Sequence, residues 1–275
     1  MSDRTPTKSV EKLATHIPGF DLITNGGLPQ GRTTLVSGTA GSAKTVFAVQ
    51  FLAEGIRKAG ESGVFVTFEE TPEDIRRNMH SFDWDLAGWE AQGRWAFVDG
   101  SPCVGLEPIV SGSYDLGALL ARIEHAVRKV RARRVALDSL GGVFTQFGDA
   151  ALVRGELFRV STALKNMGVT AILTAERPDE FGDISRHGVE EFVADNVVIL
   201  RNVLDQEKRR RTVEVLKLRG TGHQKGEFPF TVTPEDGIII LPLSALELKQ
   251  KSSNLRITSG NAELYFFRIA ASRGR

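Results

Sequence analysis

Residues 38–45 read GTAGSAKT, a match to the phosphate-loop pattern G-x-x-x-x-G-K-[ST] at Gly38, Lys44 and Thr45, with Ala43 standing where a glycine is expected. Such a loop works by aiming consecutive backbone N–H groups at the phosphates of a nucleotide, and the following helix adds its positive dipole end. Gly38 and Gly41 leave the main chain free to curl, and Thr39, Ala40, Ser42, Ala43 and Val46 complete the cradle. Lys44 can reach terminal phosphates as a point charge, and the Thr45 hydroxyl can ligate Mg²⁺. Context supports the match. TTLVSG (33–38) is strand-like and leads into the loop, and TVFAVQFLAEGIRKAG (45–60) is a broadly apolar helix with Gly60 as its stop.

Moving outward, GVFVTFEE (63–70) reads as a buried strand ending in Glu69 and Glu70. Ligands of open α/β sheets bind beyond the carboxyl ends of strands, so a carboxylate there can orient an attacking water; a solvated acidic turn is the alternative. Thr71-Pro72-Glu73-Asp74 starts a helix expected to run to about Ser81, with Thr71 as N-cap and the acids at the positive dipole end. RRVALDS (133–139) is an apolar strand that delivers Asp138, the arrangement that places one carboxylate beside Mg²⁺ and the loop threonine.

The remaining segments extend a strand-helix alternation. Residues 13–32 are rich in turn signals, RWAFVDG (94–100) is a strand candidate, and a Gly/Pro/Ser-rich loop follows it. Asp115 is placed to cap an amphipathic helix, LGALLARIEHAVRKV, whose basic end suits a helix C-terminus. A loop to about Asp149, a helix over 154–167 stopped by Gly168 and a strand over 169–177 follow. The fold class this implies is α/β, with a mainly parallel sheet flanked by helices. NVVILRNVL (196–204) and RTVEVLKLRG (211–220) then form an antiparallel hairpin across the charged turn DQEKRR. Strict alternation in its second strand would put Lys217 and Arg219 on one face and Leu216 and Leu218 on the other. Two cations on one face suit phosphate, in the manner of an arginine finger supplied to a neighbouring subunit; a solvated outer face is the plain alternative.

Composition fits one large globular domain, with 275 residues, 41% hydrophobic and 25% charged. Lys plus Arg number 35 against 34 Asp plus Glu, so no overall field gathers nucleic acid or an anionic membrane. Cys103 is the only cysteine, which fits a reducing cytoplasm. No run approaches the roughly 18 apolar residues of a membrane span, and the polar start has no signal-peptide core, so a cytoplasmic location is expected.

Taken together, GTAGSAKT, GVFVTFEETPEDI, RARRVALDS, GVEEFVADNVVILRNVL, RRRTVEVLKLRGTGHQKGEFPFTV and KSSNLRITSG resemble the N-terminal ATPase half of the KaiC family over roughly residues 10–260. The resemblance implies a RecA-like P-loop fold with a C-terminal hairpin, ATP and Mg²⁺ as cofactors, slow hydrolysis and a homo-hexameric ring that holds ATP between subunits. By matched position, Glu69 and Glu70 would be the catalytic carboxylates and Asp138 the Mg²⁺ acid, while Ser81 would contact the nucleotide. Lys217, Leu218, Arg219, Thr221, His223 and Lys225 would reach the neighbour's ATP. Clock-type members dock a KaiB-like protein, for which the loop 101–118 is the matching region. Expected organisation is a leader over 1–12, an ATPase domain over 13–248 and a linker with an atypical tail over 249–275. That tail, NAELYFFRIAASRGR, departs from the family's second half, which carries Ser/Thr autokinase activity, so autokinase activity is not expected of these residues.

The rival from another class is a DNA recombination or repair ATPase of the RecA and RadA type. Against it, RPDEFGDISRHGVEE (177–191) offers five acids to two arginines where a DNA-pairing loop should offer cations and stacking groups. A module that binds ATP only to hold a ring together would not need Glu69 and Glu70.

Overall fold

The computed structural model describes residues 10–101, 116–139, 141, 149–185, 188 and 190–242. The expected helix cap at Asp115, most of the loop 101–118, Cys103 and the linker and tail beyond residue 242 lie outside them. In chain order the elements are β1 (Lys12–Leu13), α1 (Phe20–Ile23), β2 (Leu28–Pro29), β3 (Thr33–Gly38), α2 (Lys44–Glu54), β4 (Gly63–Thr67), α3 (Pro72–Asn78), α4 (Leu86–Ala91), β5 (Trp95–Asp99) and α5 (Leu116–Val130). They continue with β6 (Arg134–Asp138), α6 (Ala150–Asn166), β7 (Thr170–Glu176), α7 (Glu190–Val193), β8 (Asn196–Asp205), β9 (Lys208–Leu218), β10 (Glu227–Thr233) and β11 (Gly237–Ile240).

A nine-stranded sheet runs β11-β10-β9-β8-β3-β7-β6-β4-β5. From β8 to β5 every neighbouring pair is parallel, and from β8 to β11 every pair is antiparallel. The α/β class with a C-terminal antiparallel extension is therefore what the chain forms. Strand β3 lies between β7 and β8, fully buried, and its carboxyl end becomes the phosphate loop. The carboxyl ends of β4, β6 and β7 open on the same edge, which is where an open parallel sheet binds ligands.

Each face of the sheet has its own core. On one side α2 buries Phe47, Val49, Phe51 and Leu52 among Val36, Phe65, Ala136, Ile172 and Val198. On the other, α5 and α6 pack Leu119, Ile123, Val127, Leu157, Val160 and Leu164 against Leu35, Val66, Val135 and Leu173. Near-continuous apolar strands are what a sheet covered on both faces requires. Helix α2 passes through a π turn at Gly55–Ala59 and stops at left-handed Gly60, as its sequence indicates. Arg134 is buried inside this apolar frame, and its guanidinium donates to Glu61 Oε2 (2.7 Å), Phe51 O (2.9 Å) and Ala14 O (2.8 Å).

Three boundaries differ from the sequence reading. Helix α3 ends at Asn78, three residues short of Ser81, because Met79 already caps it and the chain turns toward Trp84. Helix α6 begins at Ala150 rather than near 154, because Asp149 accepts the Ala151 N–H (2.9 Å) and starts the helix there. The turn of the β8–β9 hairpin is only Gln206-Glu207, and the remaining charged residues of DQEKRR extend the two strands.

Candidate nucleotide site

The phosphate loop is built by close contacts that specify small residues. A Cβ on Gly38 would lie 2.6 Å from the Leu200 carbonyl oxygen, so no side chain fits. Ser42 Oγ donates to Thr39 O (2.8 Å) and closes the curl. Ala43 is left-handed at φ 73°, which explains why glycine suits this position and why an L-residue here costs about 1–2 kcal/mol. Its carbonyl still accepts the Phe47 N–H (2.9 Å), so α2 starts on register despite the alanine. Lys44 is buried and its ammonium donates to Gly38 O (2.8 Å) and Thr39 O (2.9 Å). Burial lowers its pKa, while the charges of Glu176, Asp138, Glu69 and Glu180 oppose that shift.

Asp138 ends β6, buried, with Oδ2 accepting from Thr45 Oγ1 (2.7 Å) and Oδ1 from the Thr174 hydroxyl. Burial pushes its carboxyl above the ordinary range, and the two hydroxyl bonds and Lys44 partly offset this. The Asp138–Ser139 peptide is cis, and Ser139 Oγ donates to Glu69 Oε1 (3.0 Å). The two adjacent glutamates have different surroundings. Glu69 is exposed and its charge acts on Lys44. Glu70 is half-buried and accepts from Asn78 Nδ2 (2.6 Å); burial raises its pKa and the Asn78 bond lowers it. Mg²⁺ takes oxygen ligands, and the paired oxygens of Thr45 and Asp138 beside Lys44 fit that requirement. Ser81 is exposed in the turn after α3.

In β9, strict alternation fails. Val197 pairs with Lys217 and Val198 with Val215, so Leu216 is an extra residue, a β-bulge, and is 43% exposed. Leu218 is buried with Val213 and Val215, so the two leucines do not share a face. Lys217 Nζ donates to Ala194 O (2.8 Å) and Glu191 O (3.3 Å), and Arg219 pairs with Asp195 (3.3 Å). Thr221 and His223 are half-buried and Lys225 is exposed. Burial, followed by the charge of Lys225, lowers the His223 pKa, which favours a neutral imidazole. The segment is braced from behind: Arg32 Nη1 donates to Arg219 O (2.6 Å), Arg219 N–H to Asn196 Oδ1 (3.2 Å) and Gln224 N–H to Ile23 O (2.7 Å).

The structure thus brings the loop, Thr45, Asp138 and Glu69 into one connected group, whereas Lys217 and Arg219 are held by the segment 191–195. Several participants carried no signal that was read from the sequence. Thr174 is a polar residue in an apolar strand, in line with Asp138 once β6 and β7 are paired, and that pairing could have pointed to it. Asn78, Ser139 and Glu180 sit beside recognised residues but belong to no motif.

A parallel sheet whose central strand feeds this loop, with a threonine and an aspartate joined beside the lysine, defines a nucleotide-binding domain of the P-loop class. The chain belongs to the KaiC family: the family model described as "ATPase: KaiC" matches residues 13–245. It is 66% identical over 258 residues to the circadian clock protein KaiC3 of Synechocystis sp., covering 94% of this chain and 51% of that protein. It is 55% identical over 264 residues to the circadian clock oscillator protein KaiC of Parathermosynechococcus lividus, covering 96% and 48%. With the KaiC of Thermostichus vulcanus it shares 57% over 251 residues, 91% and 48% of the two chains. The chain spans about half the length of these curated relatives. Among the described residues no helix is long and apolar enough to cross a membrane.

Proposed function

We propose that this domain binds Mg·ATP on the loop 38–46 and hydrolyses it slowly, at sites completed by a neighbouring copy in a ring of six. The carrying observation is the Thr45–Asp138 hydrogen bond beside Lys44, which gathers a magnesium-type oxygen pair and a phosphate-binding cation at the carboxyl ends of β3 and β6. Lys44 exchanges its loop carbonyls for terminal phosphate oxygens. Thr45 and Asp138 would hold the metal, Asp138 directly or through a water, and Thr174 keeps Asp138 oriented beside Thr45. Mg²⁺, when bound, neutralises charge on the phosphates.

Of the two glutamates, Glu69 is the one assigned to orient the attacking water. It is the more exposed, is aligned by Ser139, and shares the electrostatic surroundings of Lys44. Glu70, engaged with Asn78, takes second place.

Lys217 and Arg219, with Leu218, Thr221, His223 and Lys225, serve the neighbour's nucleotide. Leu218 can contribute only backbone, since its side chain is in the core. Support comes from the open cleft of about 540 Å³ beside Arg219, lined by Phe158, Phe192, Arg154 and Lys165. Phe158 and Phe192 are 65% and 64% exposed there, as expected of a surface that another chain covers. A KaiB-like partner belongs to the same proposal, through a loop that lies outside the described residues. The test is phosphate release per protomer as protein concentration rises. A rate that climbs to a plateau supports shared sites. A flat non-zero rate refutes them, and release undiminished by Lys44→Ala refutes the nucleotide site itself.

A further inference from the structure

The acidic segment after β7 does more than discourage nucleic acid. Glu180, half-buried, crosses to the phosphate loop, where its Oε1 accepts from Thr39 Oγ1 (2.5 Å) and its Oε2 from the Asn202 N–H (3.1 Å). The segment carrying it is itself pinned. Arg201 Nε donates to Glu180 O (3.2 Å), Arg177 Nη2 donates to Gly182 O (2.7 Å), and the Ser37 hydroxyl donates to Ile184 O. The Arg177 N–H returns to Gly38 O (3.3 Å), which ties the start of the segment to the first residue of the loop. Asn202 also packs beside Gly41, where an added Cβ would lie 3.2 Å from its Nδ2. A carboxylate accepting two charge-assisted hydrogen bonds from two different elements is a strong and directional tie.

We propose that Glu180 is a positioning residue for nucleotide binding: by holding the Thr39 hydroxyl it sets the first turn of the phosphate loop, and it commits that hydroxyl's only proton so that Thr39 meets phosphate through its backbone N–H. This rests on reading 38–46 as the phosphate site. Two effects of the same side chain then oppose each other. The tie preorders the loop and favours binding, while the carboxylate's negative charge, close enough to act on Lys44, opposes the incoming phosphates.

Glutamine separates positioning from charge: its amide can donate to Thr39 Oγ1 while its carbonyl accepts from Asn202, which holds the loop in place without the charge but releases the Thr39 proton. Alanine removes both. Asp179→Asn, on the exposed neighbouring residue, removes the same charge from the segment without touching Thr39.

The experiment titrates a fluorescent Mg·ATP analogue into the full chain as wild type, Glu180→Ala, Glu180→Gln, Asp179→Asn and Lys44→Ala. Glu180→Ala is expected to weaken binding about tenfold, the scale of one lost charge-assisted hydrogen bond. Glu180→Gln should bind at least as tightly as wild type, and Asp179→Asn within about twofold of it. Glu180→Ala binding as tightly as Glu180→Gln overturns the proposal, because these two variants differ in the tie and not in charge. If Glu180→Ala does not fold, Glu180→Gln binding more weakly than Asp179→Asn overturns it. Wild type binding no better than Lys44→Ala overturns the site reading, and this inference with it.

Discussion

The phosphate loop and the segment 217–225 both present cations, but only the first is enclosed by its own chain. Lys44 is buried at 9% exposure with its ammonium on loop carbonyls, beside an aspartate that two threonine hydroxyls hold. Arg219 has a side chain 57% exposed and is tied by one 3.3 Å ion pair to Asp195, which also has Lys165 at 2.7 Å. If Arg219 leaves, Asp195 keeps a partner, whereas if Lys44 leaves, Asp138 loses a cation that offsets the cost of its burial. The first region is enclosed by its own chain, and the second is a braced segment whose arginine tip is exposed. On the proposed reading, a site divided in this way is complete only where two copies meet.

The sharpest break of that comparison comes from the enclosed half. Lys44→Ala and Asp138→Asn should each reduce phosphate release by at least about 100-fold at every protein concentration, the scale of losing a main electrostatic group. Asp138→Asn carries a second expectation. Folding raises this carboxyl's pKa, so its contribution to stability is fully present below the unfolded value and is lost as pH rises through the folded value. At neutral pH the asparagine variant, without nucleotide or metal, should therefore melt a few degrees higher than wild type in a thermal scan, roughly 2–4 °C.

Arg219→Ala should lower the plateau rate by about 100-fold and leave single-chain nucleotide affinity within about twofold. An equal loss of affinity in dilute protein would place Arg219 on its own chain's nucleotide.

The adjacent acids give the next step down. Glu69→Gln should cost about 100-fold in turnover and Glu70→Gln about tenfold or less. The reverse order would exchange their roles. Asn78→Ala removes a bond that lowers the Glu70 pKa, so any acid limb due to Glu70 should move to higher pH. A limb that stays in place would show that Glu70 does not control it.

The smallest effect belongs to Ala43→Gly. Glycine relieves a left-handed alanine but adds freedom to the unfolded chain, and these terms nearly cancel, leaving stability within about 1 kcal/mol. A change in nucleotide affinity beyond about threefold in either direction would show that the Ala43 methyl acts on the phosphates.

What could be read from the sequence follows from how local the determining contacts are. The loop, the capped start of α3 at Thr71 and the strand ending in Asp138 are each specified within a dozen residues, and all three form as read. The bulge at Leu216 was not legible, because it depends on the pairing of β8 with β9 and exists only once the register is set. Alternation placed Leu216 with Leu218, and one inserted residue put them on different faces. The contacts of Thr174 and Glu180 were invisible for the same reason, since each meets its partner across more than thirty residues of chain, through bonds to Asp138 and to Thr39. Motifs reveal groups that sequence keeps together, and sheet pairing decides the rest.

The most direct test of the divided site mixes two inactive chains, Lys44→Ala with its braced segment intact and Arg219→Ala with its loop intact, and measures phosphate release after subunit exchange. A shared site predicts recovery, because about a quarter of randomly mixed interfaces would join an intact loop to an intact segment. Activity no greater than the sum of the two parents, in rings shown to have exchanged, would contradict the account and place the whole site in one chain.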